Sequence, residues 1–460
     1  MTLHAMRLEE IMLAGALLAS MAAMAQPAVA QEASDSTLRA LIAERVDAGR
    51  SVGIVAGVMD PAGPRVLSYG HAALGGGDRP LDGNTVFEIG SVTKTFTAVL
   101  LAEMVGRGEV ALDDPVARYL PSEVRVPARN GRAITLLDLA TQSSGLPRLP
   151  SNMTPKDPAN PYADYTEAQL YAFLNEYQLI RDPGAEYEYS NLGVGLLGLA
   201  LARRADMSYE QLLTERVLRP LGMNDTRITL TDDMRRRFAT GHADGSAVEN
   251  WDLPVLAGAG AIRSTANDLL KFVAANLAST GPLHAAMVAA QTARRPIPGD
   301  QQIGLAWHIS EHAGTRIIWH NGGTGGYHTF VGFVPAAHRG VVILANSADD
   351  IDRVGVHQLD STVAPEPVRR AVALAPTVLQ RYVGRYQLAP AFSIEVTREG
   401  DALFGQGTGQ GRFRLYSASE KEFFLIAVPA EVSFTVDSAG GVIGMVLHQN
   451  GRDSPGRKVP

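Results

Sequence analysis

A serine hydroxyl is a poor nucleophile until a nearby base takes its proton, and a lysine held away from water can be that base. Ser91-Val92-Thr93-Lys94 offers the pair. Gly90 precedes it, and an apolar run with helical spacing, reaching Leu100 and Leu101, follows it. The pattern predicts that Ser91 stands at a helix N-terminus, where unpaired backbone N–H groups and the positive end of the helix dipole favour developing negative charge. Lys94 then falls on the same helix face as Ser91. Nucleophile, proton acceptor and oxyanion donor thus fit within one helical turn. The same four residues also fit an N-cap serine and a solvated first-turn lysine. Lysine scarcity favours the chemical reading. The lysines are Lys94, Lys156, Lys271, Lys421 and Lys458, against 41 lysines and arginines together, and of these only Lys94 follows a serine at this spacing. Arginine stays protonated and cannot replace it as a base.

Two further clusters offer companions. Tyr189-Ser190-Asn191 is the one Tyr-x-Asn in the sequence and precedes an apolar helix expected over Leu192–Leu201. A tyrosine beside a lysine can have its phenol pKa lowered and relay protons. An asparagine offers donor and acceptor to a substrate amide. The plainer alternative is a packed loop tyrosine and an asparagine N-cap. His320-Asn321-Gly322-Gly323-Thr324-Gly325-Gly326 follows a strand ending in Trp319. Its glycines let a substrate backbone lie against the strand edge, and the Gly323 N–H can complete an oxyanion hole with that of Ser91. His320 can donate to substrate, although a glycine-rich hairpin turn is the simpler account of the segment. The glycine run lacks the Gly-Lys-Ser/Thr ending of a phosphate loop. His308 and His312 read His-Ile-Ser-Glu-His, not the zinc-protease order, so no metal site is expected.

These side chains need a scaffold. Residues 36–50 read as a helix with Leu38, Leu41, Ile42 and Val46 on one side. Val52–Met59 reads as a strand, Asp60–Pro64 as a turn, and Arg65–Tyr69 as a returning strand. The Ser91 helix ends near Gly106 and Gly108. Residues 112–290 are mostly helical segments broken by Pro/Gly loops, and strands return at Arg316–Trp319, Thr329–Val334 and Val341–Ala345. Strands at both ends of a helical middle predict one antiparallel sheet completed by both and covered by helices, an α/β chain of the α+β type. A linker is expected over 351–376, with Pro365, Pro367 and Pro376. Beyond it, short alternating strands at Phe392–Thr397, Phe413–Leu415, Phe423–Ile426, Val432–Val436 and Val442–His448 predict a separate small β-domain over 377–460, a barrel or sandwich.

The chain has 460 residues and a formal net charge of -7, which leaves no basic footprint for nucleic acid. It has no cysteine, which excludes disulfides, thiolate metal sites and cysteine nucleophiles. Residues 1–30 read as an export signal: the apolar run Ile11–Ala25 is short for a membrane span, and the small-x-small site Ala28-Val29-Ala30 follows. No later stretch is long and apolar enough to span a bilayer, so a soluble periplasmic or secreted protein with no stable membrane span after processing is expected.

Ser91-x-x-Lys94, Tyr189-x-Asn191 and His320-x-Gly322, in this order, resemble the motifs of the penicillin-recognising serine hydrolases, nearest their class C β-lactamase-like branch. That branch includes D-Ala-D-Ala carboxypeptidase/endopeptidases, D-aminopeptidases and esterases. Leu136–Pro147, Pro220–Met223 and Gly258–Ala266 fit it too, and the resemblance covers about 40 to 350. It implies a β-lactamase-like antiparallel sheet with a helical subdomain over 36–350, and the tail is similar to β-barrel-like domains appended to some relatives. It implies that Ser91 is acylated, that Lys94 and Tyr189 share proton transfers, and that Asn191 orients Lys94 and the substrate amide. The strand with His320, Asn321, Gly322 and Gly323 would bind substrate, without cofactor. The substrates implied are β-lactams, D-amino-acid peptides or small esters. Many β-lactamases carry Lys-Thr-Gly or Lys-Ser-Gly where this chain has His320-Asn321-Gly322, and a neutral histidine attracts a carboxylate less than lysine does. The alternative of another class is a catalytically idle cell-envelope binding module.

Overall fold

β1 (Gly53–Asp60) turns directly into β2 (Gly63–Gly70), the two pairing antiparallel. On its other edge β1 pairs with β8 (Arg339–Ala345), from the far end of this half of the chain, with Ile54 opposite Ala345. Between them in sequence come β3 (Arg295–Ile297), β4 (Gln301–Ile303), β5 (His308–His312), β6 (Thr315–Gly323) and β7 (His328–Val334). The sheet runs β2-β1-β8-β7-β6-β5-β4-β3, antiparallel throughout. The computed structural model describes residues 34–75, 79–390, 392–408, 410, 412–426, 430–449 and 452–459. The expected export signal lies outside them.

Both faces of the sheet are covered, and the period-two alternation of β1 shows how. Ile54, Ala56 and Val58 point into one core with Leu38 and Ile42 of the N-terminal helix α1 (34–47) and with Val354 and Leu359. Val55 points into the other, larger core. There α5 (Ala266–Leu277) crosses β1, β7 and β8. Gly57 makes that crossing close, since a Cβ on it would lie 2.9 Å from Leu270.

Behind α5 runs α2 (Thr93–Gly106), buried from Thr93 to Ala102 and again at Met104. A helix apolar on all sides belongs in the middle of a large core. Phe96 stacks on Phe272 of α5 at 4.0 Å between ring centroids. Each such fully buried Phe, Leu or Val contributes roughly 1.5–3 kcal/mol. The far side of α2 meets the helical region, where α3 (Asn191–Ala205) and the short α4 (Ala257–Gly260) pack on it. α3 and α4 approach through glycines: a Cβ on Gly198 would lie 3.0 Å from the Gly258 Cα.

The chain then builds a second unit, a closed eight-stranded antiparallel barrel. Its strands are β9 (Gly384–Ala389), β10 (Phe392–Glu399), β11 (Ala402–Gly407), β12 (Arg412–Ser417), β13 (Glu422–Phe424), β14 (Ala430–Val436), β15 (Val442–Gln449) and β16 (Arg452–Val459). Pairing of β9 with β16, Tyr386 opposite Lys458, closes it. Three of these strands, β9, β11 and β16, are additional to those expected from sequence. Within the expected linker, Asp352–Leu359 is a helix with Val354 and Leu359 buried against the sheet. The barrel touches the first unit where the Arg50 guanidinium lies 5.6 Å from the Phe424 ring and the Tyr416 hydroxyl reaches Asp244 at 3.4 Å. No helix among the described residues is long and apolar enough to cross a membrane.

Candidate active site

Ser91 lies in a 3₁₀ turn, Gly90–Val92, that runs straight into α2. Its hydroxyl is not spent on capping: neither the turn nor α2 has a side-chain cap bond. The turn exists because Gly90 adopts φ +48°, a left-handed conformation. A Cβ there would also press on the Gly323 amide at 2.9 Å, and one on Gly322 would run into the Ile89 carbonyl and reach the Ser91 nitrogen at 3.0 Å. The end of β6 therefore lies against the Ser91 turn through paired glycines. This brings the Ser91 and Gly323 amides to one place, as an oxyanion pair requires.

Lys94 follows in the first turn of α2 and is completely buried. Its Nζ lies 2.9 Å from Ser91 Oγ, 2.8 Å from Asn191 Oδ1 and 2.8 Å from the Ala259 carbonyl. All three partners are uncharged oxygens. Burial, assisted by the positive field of Arg148, holds the ammonium pKa well below its ordinary value. A neutral amine has two N–H bonds and one lone pair. Two carbonyl oxygens accept the N–H bonds, which leaves the lone pair for the Ser91 hydroxyl. The Asn191 orientation is fixed from behind, because its Nδ2 donates to the Tyr162 hydroxyl at 3.2 Å. The N-cap of α3 is Ser190, which accepts from the Gly193 amide at 2.8 Å, so the Asn191 amide stays free for Lys94.

Tyr189 precedes that cap in a loop tied down by Gln142, whose Oε1 accepts from the Ser190 N–H at 2.7 Å and whose carbonyl accepts from Glu188 N–H at 2.7 Å. Lys94 Nζ lies 4.8 Å from the centre of the Tyr189 ring, and the Arg148 guanidinium lies 5.1 Å from it. Desolvation raises the phenol pKa, outweighing the lowering by its hydrogen bond with Ser91 and by Arg148. The sequence-based expectation of a lowered phenol pKa is thus reversed, because burial of the phenol disfavours its charged form more than its neighbours favour it.

His320 is buried, 6.4 Å from the Tyr189 ring and stacked on His308 at 5.1 Å. Desolvation holds it well below its ordinary pKa, and burial lowers His308 to about 4. The pair is neutral. His320 Nδ1 lies 2.5 Å from the Asn321 carbonyl, which assigns it the proton, and Nε2 is buried without a partner. Nε2 is then an acceptor, not the donor expected from sequence. Asn321 alternates to the opposite face of β6, where its Nδ2 donates to Asp352, which also pairs with His328 at 2.9 Å. On that far face, ligand-type atoms of His328, Asp350 and Asp352 lie within 4.8 Å of one another. Gly49-Arg50-Ser51-Val52-Gly53 has the Gly-x-Ser-x-Gly spelling of a nucleophile elbow, but Ser51 Oγ is bonded to the buried carboxylate of Asp349 at 3.2 Å.

The family model for β-lactamase matches residues 38–360. The chain belongs to the β-lactamase family. A second model, a domain of unknown function, DUF3471, matches residues 368–457. The chain is 32% identical over 293 residues to the D-alanyl-D-alanine-carboxypeptidase/endopeptidase AmpH of Escherichia coli, covering 60% of this chain and 74% of the relative. It is 27% identical to penicillin-binding protein 4* of Bacillus subtilis over 84% of this chain and 90% of that protein. Among solved structures, a β-lactamase/D-alanine carboxypeptidase from Yersinia pestis complexed with citrate superposes with a TM-score of 0.62 at 28% identity, covering 71% of this chain and 98% of that one. As a β-lactamase family member the protein is a serine hydrolase that works through an acyl-enzyme, and the antiparallel sheet with its helical region is the β-lactamase fold. Arg148, Tyr162, the Ala259 carbonyl and His308 are neighbours of this centre that carry no signal in the sequence.

Proposed function

We propose that Ser91 is the acylated nucleophile, Lys94 its general base and Tyr189 the proton donor to the leaving group, in hydrolysis of β-lactams or related amides and esters. The observation that carries the assignment is the buried Lys94 Nζ, bonded to Ser91 Oγ at 2.9 Å with two carbonyl oxygens occupying its N–H bonds. Neutral Lys94 takes the Ser91 proton as the oxygen attacks the carbonyl carbon. The Ser91 and Gly323 N–H groups hold the oxyanion. Tyr189, kept protonated by its raised pKa, gives its proton to the departing nitrogen or oxygen, and the lysine proton restores the phenol. Water then repeats the sequence on the acyl-enzyme, with Lys94 accepting its proton. Gly322 and Asn191 line the substrate's path, and Asn191 also fixes the base.

A second reading within this class rests on neutral His320. With no lysine on this strand, a β-lactam carboxylate lacks its usual partner, which favours D-amino-acid peptides and short esters, as a D-Ala-D-Ala carboxypeptidase, D-aminopeptidase or esterase takes. A panel of nitrocefin, a D-Ala-D-Ala peptide and p-nitrophenyl esters, each with wild type and Ser91→Ala, separates the readings. Turnover unchanged in Ser91→Ala, or no adduct of labelled penicillin or fluorophosphonate on folded protein, sinks the assignment. We also propose export directed by residues 1–30, checked by N-terminal sequencing of fractionated protein. The hydrolase unit of 36–350 is proposed to take in the helix Asp352–Leu359 that packs on it.

A further inference from the structure

The C-terminal barrel is filled at one end and hollow at the other. At the filled end, α6 (Pro376–Gln380) contributes buried Leu379 over the rings of Tyr382, Phe423 and Phe434, with Tyr382 and Phe434 centroids 4.5 Å apart. At the other end lies a cavity of about 650 Å³ walled by Phe392, Ile394, Phe413, Leu415, Met445 and Leu447. Among the described residues no charged side chain lines it, and the polar members are Gln410, Gln449 and Ser454. The hollow has a cause in the sequence. On β11 the inward positions are Leu403, Gly405 and Gly407, so two of the three carry no side chain. A Cβ on Gly405 would meet nothing nearer than Ile394 and Leu415 at 3.6 Å, which is ordinary contact. Neither glycine has a left-handed φ, so backbone conformation does not require them.

We infer that this open end is a binding site for a neutral amphiphile, an alkyl chain in the lumen with an uncharged polar head beside Gln449 and Ser454. An eight-stranded barrel is just wide enough either to be filled by its own side chains or to hold one small ligand. This one is filled for only part of its length. The volume lies in the range of small-molecule sites. An apolar lining gives water too few partners to settle there, so an apolar group gains on entering. A charged group would be desolvated with nothing to pair with, which sets the ligand's class. The inference is independent of the chemistry at Ser91.

The test uses the full chain and the uncharged fluorophore N-phenyl-1-naphthylamine. Saturable one-to-one binding is expected, unchanged after Ser91 is blocked with a fluorophosphonate. 1-Decanol should displace the fluorophore at concentrations at least tenfold lower than decyltrimethylammonium or decanoate. Gly405→Met, which fills the lumen, should weaken binding at least tenfold with the circular dichroism spectrum retained; if that variant misfolds, Gly405→Ala should weaken it several-fold. Absence of saturable binding, loss of binding on blocking Ser91, equal displacement by the charged amphiphiles, or undiminished binding by the folded Gly405 variant would each overturn the inference.

Discussion

Replacing Arg148 by alanine tests the electrostatics of the base without touching it. Arg148 and Lys94 approach the same Tyr189 ring, at 5.1 and 4.8 Å from its centre, so their charges are at most about 10 Å apart. The guanidinium penalises the Lys94 ammonium and thereby lowers its pKa. Removing it must raise that pKa. The free amine is the active form, so the acid limb of kcat/KM must move to higher pH. The Coulomb energy at 10 Å corresponds to about 0.3 pH unit if water screens it fully and about 1.2 at an effective dielectric of 20. Arg148 is exposed, so the smaller figure is the better guide, and the shift should shrink further with added salt. The assay is a pH profile with a neutral ester, which brings no charge of its own to Arg148. Arg148→Lys should leave the limb in place. A limb that moves to lower pH in Arg148→Ala, or a shift insensitive to salt, would mean that Arg148 does not act on Lys94 through its charge.

Other expectations follow from the same geometry. Lys94→Arg keeps a cation but cannot accept the Ser91 proton, and acylation measured by adduct mass should be nearly abolished. Gly90→Ala forces a side chain at φ +48° and 2.9 Å from the Gly323 amide, so kcat should fall by about 10²-fold or more, as for loss of an oxyanion donor, with KM little changed. Asp349 is fully buried between Arg45 at 2.8 Å and Arg50 at 2.9 Å; Asp349→Ala strands both guanidiniums and should cost about 3–5 kcal/mol in urea unfolding, where Asp349→Asn should cost less.

The residues that carry chemistry were legible where the reaction demands a residue type at a fixed spacing. Ser91 and Lys94 share a helical turn, and Gly322 stands where any side chain would strike the Ile89 carbonyl. The antiparallel sheet was legible from apolar runs at both ends, since β1 and β8 are almost wholly buried. What escaped was made by tertiary approach. The Ala259 carbonyl has no sequence signature, because every residue has one. Arg148 and Tyr162 come to Tyr189 and Asn191 through loops. In the barrel, β11 carries inward glycines and β16 carries Pro455, Gly456 and exposed charges, so neither shows the alternation of a strand. The histidine motif was legible as neutral, but its role as acceptor depends on a backbone carbonyl, that of Asn321.

The central claim is that Lys94 is uncharged when Ser91 awaits substrate. Lysine scarcity makes it measurable, since a protein labelled with ¹³Cε-lysine shows few signals, and Lys94→Arg identifies the one in question. At pH 7 the Lys94 signal should show the shift of a free amine. A Lys94 signal that stays that of an ammonium up to pH 9 in active enzyme would contradict it.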